Sequence, residues 1–114
     1  MERQEKKNGA KSNNFFYAQI PIELLKDKKV NDGAKMQYAI YHSYSKEKDL
    51  KTNKCQCFAS QSTIAKDFNL SISKIRRNQN KLEEAGWIHV RRRRGLNTNI
   101  VTLRCKPEKR DERD

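Results

Sequence analysis

Basic side chains with hydrogen-bonding neighbours gather at two places in this chain. The first comprises Ser73, Lys74, Arg76, Arg77, Asn78, Asn80 and Lys81; the second is the run Arg91, Arg92, Arg93 and Arg94, followed by Asn97, Thr98 and Asn99. A guanidinium presents a planar fork of donors and lysine a compact charge, so these residues are suited to anionic oxygens and to base edges. Arg77 fits the two acceptors of a guanine edge, and Asn78 or Asn80 the donor and acceptor of an adenine edge. Lys74 and Lys81 fit phosphates. Catalysis has no comparable set of residues: there is no Gly-rich phosphate loop, no carboxylate pair within apolar sequence, and no Ser, His and Asp in a recognisable context. The chain reads as a non-enzyme. Cys55 and Cys57 are one residue apart, closer than the usual spacing of about two to four in structural zinc sites, so neither metal nor cofactor is expected even with His42, His89 or Cys105 nearby.

These side chains need elements to carry them. Ser60 or Ser62 caps a short helix holding Ile64, Ala65 and Phe68, and Asn69 takes the left-handed conformation that ends it. Leu70 plugs the turn. Ser71 caps a longer helix, Ile72 to Ala85, with Ile75, Gln79 and Leu82 inward and Gly86 where a helix end wants a positive φ. Ser73, Lys74, Arg77 and Asn80 then face outward, flanked by Arg76 and Lys81. Gln79 on the inward line means either that the helix packs through a less apolar face or that the amide meets a buried backbone partner. Next, Trp87 to Arg92 alternates Ile88 and Val90 with His89 and Arg91, and a return strand, Asn99 to Arg104, buries Val101 and Leu103. Arg93 to Thr98 closes them as a basic hairpin loop with Gly95 and Asn97 at its turn. At its tip, arginines suit the negative potential of a minor groove.

Upstream, Asp32 caps a helix from Ala34 to Tyr44 with an inward stripe of Met36, Ala39, Ile40 and Tyr44. Tyr38 and Tyr41 fall outside that stripe, either as partly buried core or as a surface for a protein partner. Phe15 to Ile20 forms a short strand or extended lead-in that ends in a turn of helix, Pro21 to Leu25, and pins the preceding residues to the core. Ser45 to Lys54 is a Lys-rich loop without apolar periodicity. Helix, turn, helix and basic hairpin in this order predict a small α+β winged helix-turn-helix domain with three main helices and a C-terminal β-hairpin wing. It spans residues 15–105, between a flexible basic arm at 1–14 and a charged tail at 106–114.

Composition agrees with one small binding module. The chain has 114 residues, 34% of them hydrophobic, and a formal charge of +12. That excess favours a polyanion, because each neutralised phosphate releases condensed counterions. From Ser60 to Cys105 there are ten Lys or Arg against three acids, whereas Lys106 to Asp114 carries four of each. The positive charge therefore lies in the helix-turn-helix and hairpin. Residues 1–14 lack the apolar run of a signal peptide and no stretch is apolar for long enough to span a bilayer, so a cytoplasmic protein without membrane association is expected. An odd number of cysteines, Cys55, Cys57 and Cys105, then reads as free thiols.

A longer pattern now stands out: Cys57-Phe58-x-Ser60-x-x-Thr63-Ile64-Ala65, then Leu70-Ser71, then Leu82-Glu83-Glu84-Ala85-Gly86-Trp87-Ile88. From Tyr17 to Leu103 the chain resembles the winged helix-turn-helix DNA-binding family of bacterial, plasmid and phage replication initiators and mobile-element accessory proteins. The resemblance implies a sequence-specific binder of double-stranded DNA, working through the Arg-rich wing and the third helix as an accessory factor that marks an origin of transfer or replication. It further implies a relaxase, a replicase or a second copy as protein partner. Since no ligand domain is visible, no small-molecule effector is expected. Three alternatives stay open: a small transcriptional repressor, a protein-interaction module using Tyr38 and Tyr41, and a single-strand binder, which would need exposed aromatic platforms beyond Trp87.

Overall fold

The structure is a computed structural model that describes residues 18–93 and 99–108. Among the described residues four helices, α1 (Ile22–Leu25), α2 (Asp32–Tyr44), α3 (Gln61–Phe68) and α4 (Ile72–Glu84), accompany three strands, β1 (Gln56–Cys57), β2 (Ile88–Arg92) and β3 (Asn99–Leu103). The arm at 1–14, the loop residues Arg94, Gly95, Asn97 and Thr98, and the end of the tail lie outside the described residues.

Local chemistry sets the helix ends. The Ser60 hydroxyl accepts from the Thr63 N–H at 3.1 Å, and Ser71 does the same for Lys74 at 3.2 Å, each satisfying one orphan donor of a first turn. Asn69, at φ 56°, turns the chain out of α3, so that only Asn69, Leu70 and Ser71 separate the two helices. At the far end of α4, Gly86 adopts φ 86° while Trp87 N–H returns to the Leu82 carbonyl at 3.0 Å, a left-handed closure of the helix. Space also demands glycine there, because a Cβ would collide with the backbone of Glu108. The cap of α2 is Asn31, whose side chain accepts from Ala34 at 2.8 Å, and not Asp32, which is already helical.

The sheet is antiparallel in the order β1-β3-β2, with Val90 opposite Val101 and Ile88 opposite Leu103. Those four side chains point into one core with Leu24, Tyr38, Ile64, Ile75, Leu82 and Trp87. β1 was not expected from the sequence: its two residues fall in an apolar stretch too short to show alternation, and pairing with Val101 and Thr102 makes it a strand. Within the expected loop, Leu50–Thr52 is a 3-10 turn that buries Leu50. Ala18 to Ile20 forms no strand, yet the Gln19 N–H donates to His42 Nδ1 at 3.3 Å and Ile20 packs on the core.

The expected inward stripe of α2 is displaced. Tyr38 and Tyr41 are 0% and 1% exposed, whereas Met36 is 65% exposed. Ala34, Tyr38 and Tyr41 repeat at helical spacing just as Met36, Ile40 and Tyr44 do, and the larger rings fill the space against α4 and the sheet. This corrects the reading of the two tyrosines as a partner surface.

Candidate nucleic-acid interface

Of the residues expected on the outer face of α4, Ser73, Lys74, Arg76, Arg77, Asn80 and Lys81 are exposed. Asn78 is not: it is 7% exposed, and its Nδ2 donates to Gln37 Oε1 at 3.3 Å. Its place as a base-reading residue is therefore withdrawn, because an amide held inside the α2–α4 contact cannot reach a groove. The signal was available, since Asn78 lies three residues after Ile75 and four before Leu82, on the buried stripe.

Asn78 belongs to a buried polar cluster that seats α4. Gln37 Nε2 donates both to the Ile75 carbonyl and to the Tyr41 hydroxyl, each at 2.8 Å, and that hydroxyl donates to Gln79 Oε1 at 2.9 Å. Gln79 thus meets a tyrosine hydroxyl, not the backbone partner weighed for it. Burial holds the Tyr41 phenol above its ordinary range.

The wing is held at its root by another set of contacts. Tyr38 meets Trp87 edge to face, with centroids 6.5 Å apart and planes at 89°, and its hydroxyl donates to the Arg104 carbonyl at 2.5 Å. The Trp87 indole donates to Asp27 Oδ2 at 2.8 Å, and this bond is the first cause holding the Asp27 carboxyl below its ordinary value. Gln37 and Tyr38, neighbours in sequence, therefore hold the two basic elements in place.

Along β2 the arginines diverge. Arg91 is exposed on the outer face with His89. Arg92 leans back to α4, where its Nη2 lies 3.6 Å from Glu83 Oε1. Arg93 carries its guanidinium 5.9 Å above the ring of Phe58. Asn99, half-buried at the start of β3, lines a cleft of about 330 Å³ with Arg76 of α4 and with Ser60, Gln61 and Ser62 at the start of α3. That shared cleft brings the helix-turn-helix and the wing to one surface. Sequence reasoning placed Arg76 only at a flank; its position toward the α3 N-terminus depends on how the two helices cross.

The residues weighed as metal ligands have other roles. His42 is buried, with Nδ1 accepting from Gln19 and Nε2 donating to the Lys48 carbonyl at 3.0 Å, and His89 faces outward. Cys55 and Cys57 are buried free thiols, and desolvation pushes Cys57 up to about 11. Among the described residues no helix is long and apolar enough to cross a membrane.

Comparison with known proteins agrees with this geometry. A family model described as a helix-turn-helix domain matches residues 48–88, which run from the 3-10 turn through α4 to the start of β2. No curated protein matches the chain. A solved structure of a Rep–DNA complex is similar, with a TM-score of 0.56 and 19% identity over 92% of this chain and 88% of that one. At that identity the likeness is one of fold. With a three-residue turn between α3 and α4 and a basic hairpin following, the chain has the fold of a small winged helix-turn-helix domain.

Proposed function

We propose that this chain is a sequence-specific binder of double-stranded DNA, acting by binding and not by catalysis. The observation that carries the reading is the shared cleft: Arg76 of α4 and Asn99 of the wing line one depression, so the two basic elements can engage one duplex together. Exposed Ser73, Lys74, Arg77 and Asn80 sit toward the leading end and middle of α4, the part of a recognition helix that meets base edges. Arg76, beside the N-terminus of α3, and Lys81 suit phosphates, because helix N-termini and fixed cations both favour anions. Arg91 and Arg93 give the wing its affinity for the backbone or for a narrow minor groove.

The role that fits is that of an accessory factor marking a plasmid or phage origin of transfer or replication, with a relaxase or replicase as the second partner. The small reading unit and the likeness in fold to a Rep protein seen with DNA support it. Selection of bound duplexes from random DNA at two salt concentrations is the test, because base readout survives added salt better than phosphate attraction does. A motif arranged as direct repeats is the expected outcome. Palindromic half-sites one helical turn apart would instead indicate a dimeric repressor. No enriched motif, with all binding lost at moderate salt, would sink the reading.

A further inference from the structure

A second surface combines aromatic faces with positive charge. Phe58, between β1 and α3, is 52% exposed, and Phe68, at the end of α3, is 41% exposed. Tyr44 connects them: its ring meets Phe68 at 6.0 Å and 67°, and it lines a groove of about 690 Å³ with Phe58 and Ala59. The Tyr44 hydroxyl donates to Asp67 at 2.6 Å, which fixes the ring and uses the nearest acid. Lys46 and Lys54 lie on the same groove, and Arg93 sits over Phe58 from the wing. The one acid of the groove, Glu47, is turned to its own loop, where it accepts from the Asp49 N–H at 2.9 Å.

We propose that the face of Tyr44, Phe58 and Phe68 binds single-stranded DNA by base stacking, with Lys46 and Lys54 on its phosphates. Phenylalanine offers no hydrogen bond to water, so these two partly exposed rings gain most from a ligand with a flat π face. A nucleobase is such a ligand, and its backbone supplies the negative charge that the flanking lysines complement. Among the described residues the groove is lined by none of the outer face of α4, and Arg93 joins this surface to the wing.

The test compares Phe58→Leu and Phe68→Leu with the unaltered chain, using fluorescence anisotropy on oligo(dT) of about 12 nucleotides and, in parallel, on a duplex. Leucine keeps apolar volume and removes the π face. Each change should weaken oligo(dT) binding by about fivefold or more, and Phe68→Leu, which does not remove the ring under Arg93, should leave duplex affinity within about twofold. Phe68→Trp should keep the binding. An oligo(dT) carrying 5-iodouracil, irradiated on the unaltered chain, should cross-link to the peptides holding Tyr44 and Phe58. Three results would overturn the proposal: no oligo(dT) binding by the unaltered chain, single-strand and duplex affinity falling in step in Phe68→Leu, or cross-links confined to α4 and β2. Failure of duplex selection while oligo(dT) binding and its loss in the leucine variants persist would remove the duplex reading and leave this one standing.

Discussion

Helix α4 and the wing are both fastened to α2, but by unlike contacts. α4 is seated by side-chain amides: Gln37, Asn78 and Gln79 join the Tyr41 hydroxyl and the Ile75 carbonyl in directional bonds inside the core. The wing is held at its root by the Tyr38 and Trp87 rings and by the Arg104 carbonyl, and from there it runs outward with its arginines exposed or half-buried. Buried directional bonds fix rotation as well as distance, which an element reading base edges requires. Charge on phosphates tolerates small displacements, so ring contacts and a loose ion pair would suffice for that task.

The largest effect should come from setting one fastening against the other. Gln37→Leu strips partners from a carbonyl, a hydroxyl and an amide at once and should destabilise the fold by about 3 kcal/mol, because buried groups left unpaired each cost about 1–3. Tyr38→Phe removes one hydroxyl bond, keeps the ring, and should cost about 1 kcal/mol. Urea denaturation of both variants measures the difference, and equal losses would dissolve the contrast between the two seats.

A smaller contrast lies in how the outer faces bind. Arg77→Ala should reduce discrimination between the selected motif and unrelated duplex by about tenfold. The pair Arg91→Ala and Arg93→Ala should instead weaken all duplexes alike and make the salt dependence shallower by about one phosphate contact per arginine. Binding titrations on both duplexes at several salt concentrations separate the two. If the wing variants lost discrimination as well, the wing would be reading bases.

The smallest effect concerns the wing root and pH. The Trp87 bond lowers the Asp27 pKa below its ordinary 3.8 in the folded state, so its stabilisation is present above 3.8 and is lost as pH falls through the folded value. Asp27→Asn should cost about 1 kcal/mol or less at neutral pH, and the cost should vanish below the folded value. Thermal melting across acidic pH checks this; a cost that stayed constant would mean the carboxylate charge plays no part.

Much of the helix-turn-helix was legible because its punctuation is local. Ser60, Asn69, Ser71 and Gly86 act within a few residues of themselves, and the structure gives each the role its side chain predicts. So does the alternation of Ile88 and Val90 with His89 and Arg91. What sequence could not settle depends on partners distant in the chain. The rotation of α2 was ambiguous between two stripes of equal period, and only packing against α4 and Trp87 chooses Tyr38 and Tyr41. Asn78 looked like a reader because asparagine suits adenine, and its spacing carried the opposite message. The openness of Phe58 and Phe68 had no sequence signal, since aromatic residues at such positions are ordinarily core.

The order of the sheet gives the arginines a further consequence. β2 pairs only with β3 among the described residues and so forms an edge of the sheet. An edge offers unpaired N–H and C=O groups to any passing strand, and a second copy of this chain would bring an identical one. Arg91, exposed there, and Arg92, whose charge Glu83 meets only in part at 3.6 Å, repel such a copy. Once a polyanion neutralises them, that repulsion is gone. Positive charge on that strand thus guards the open edge of the sheet against a second copy.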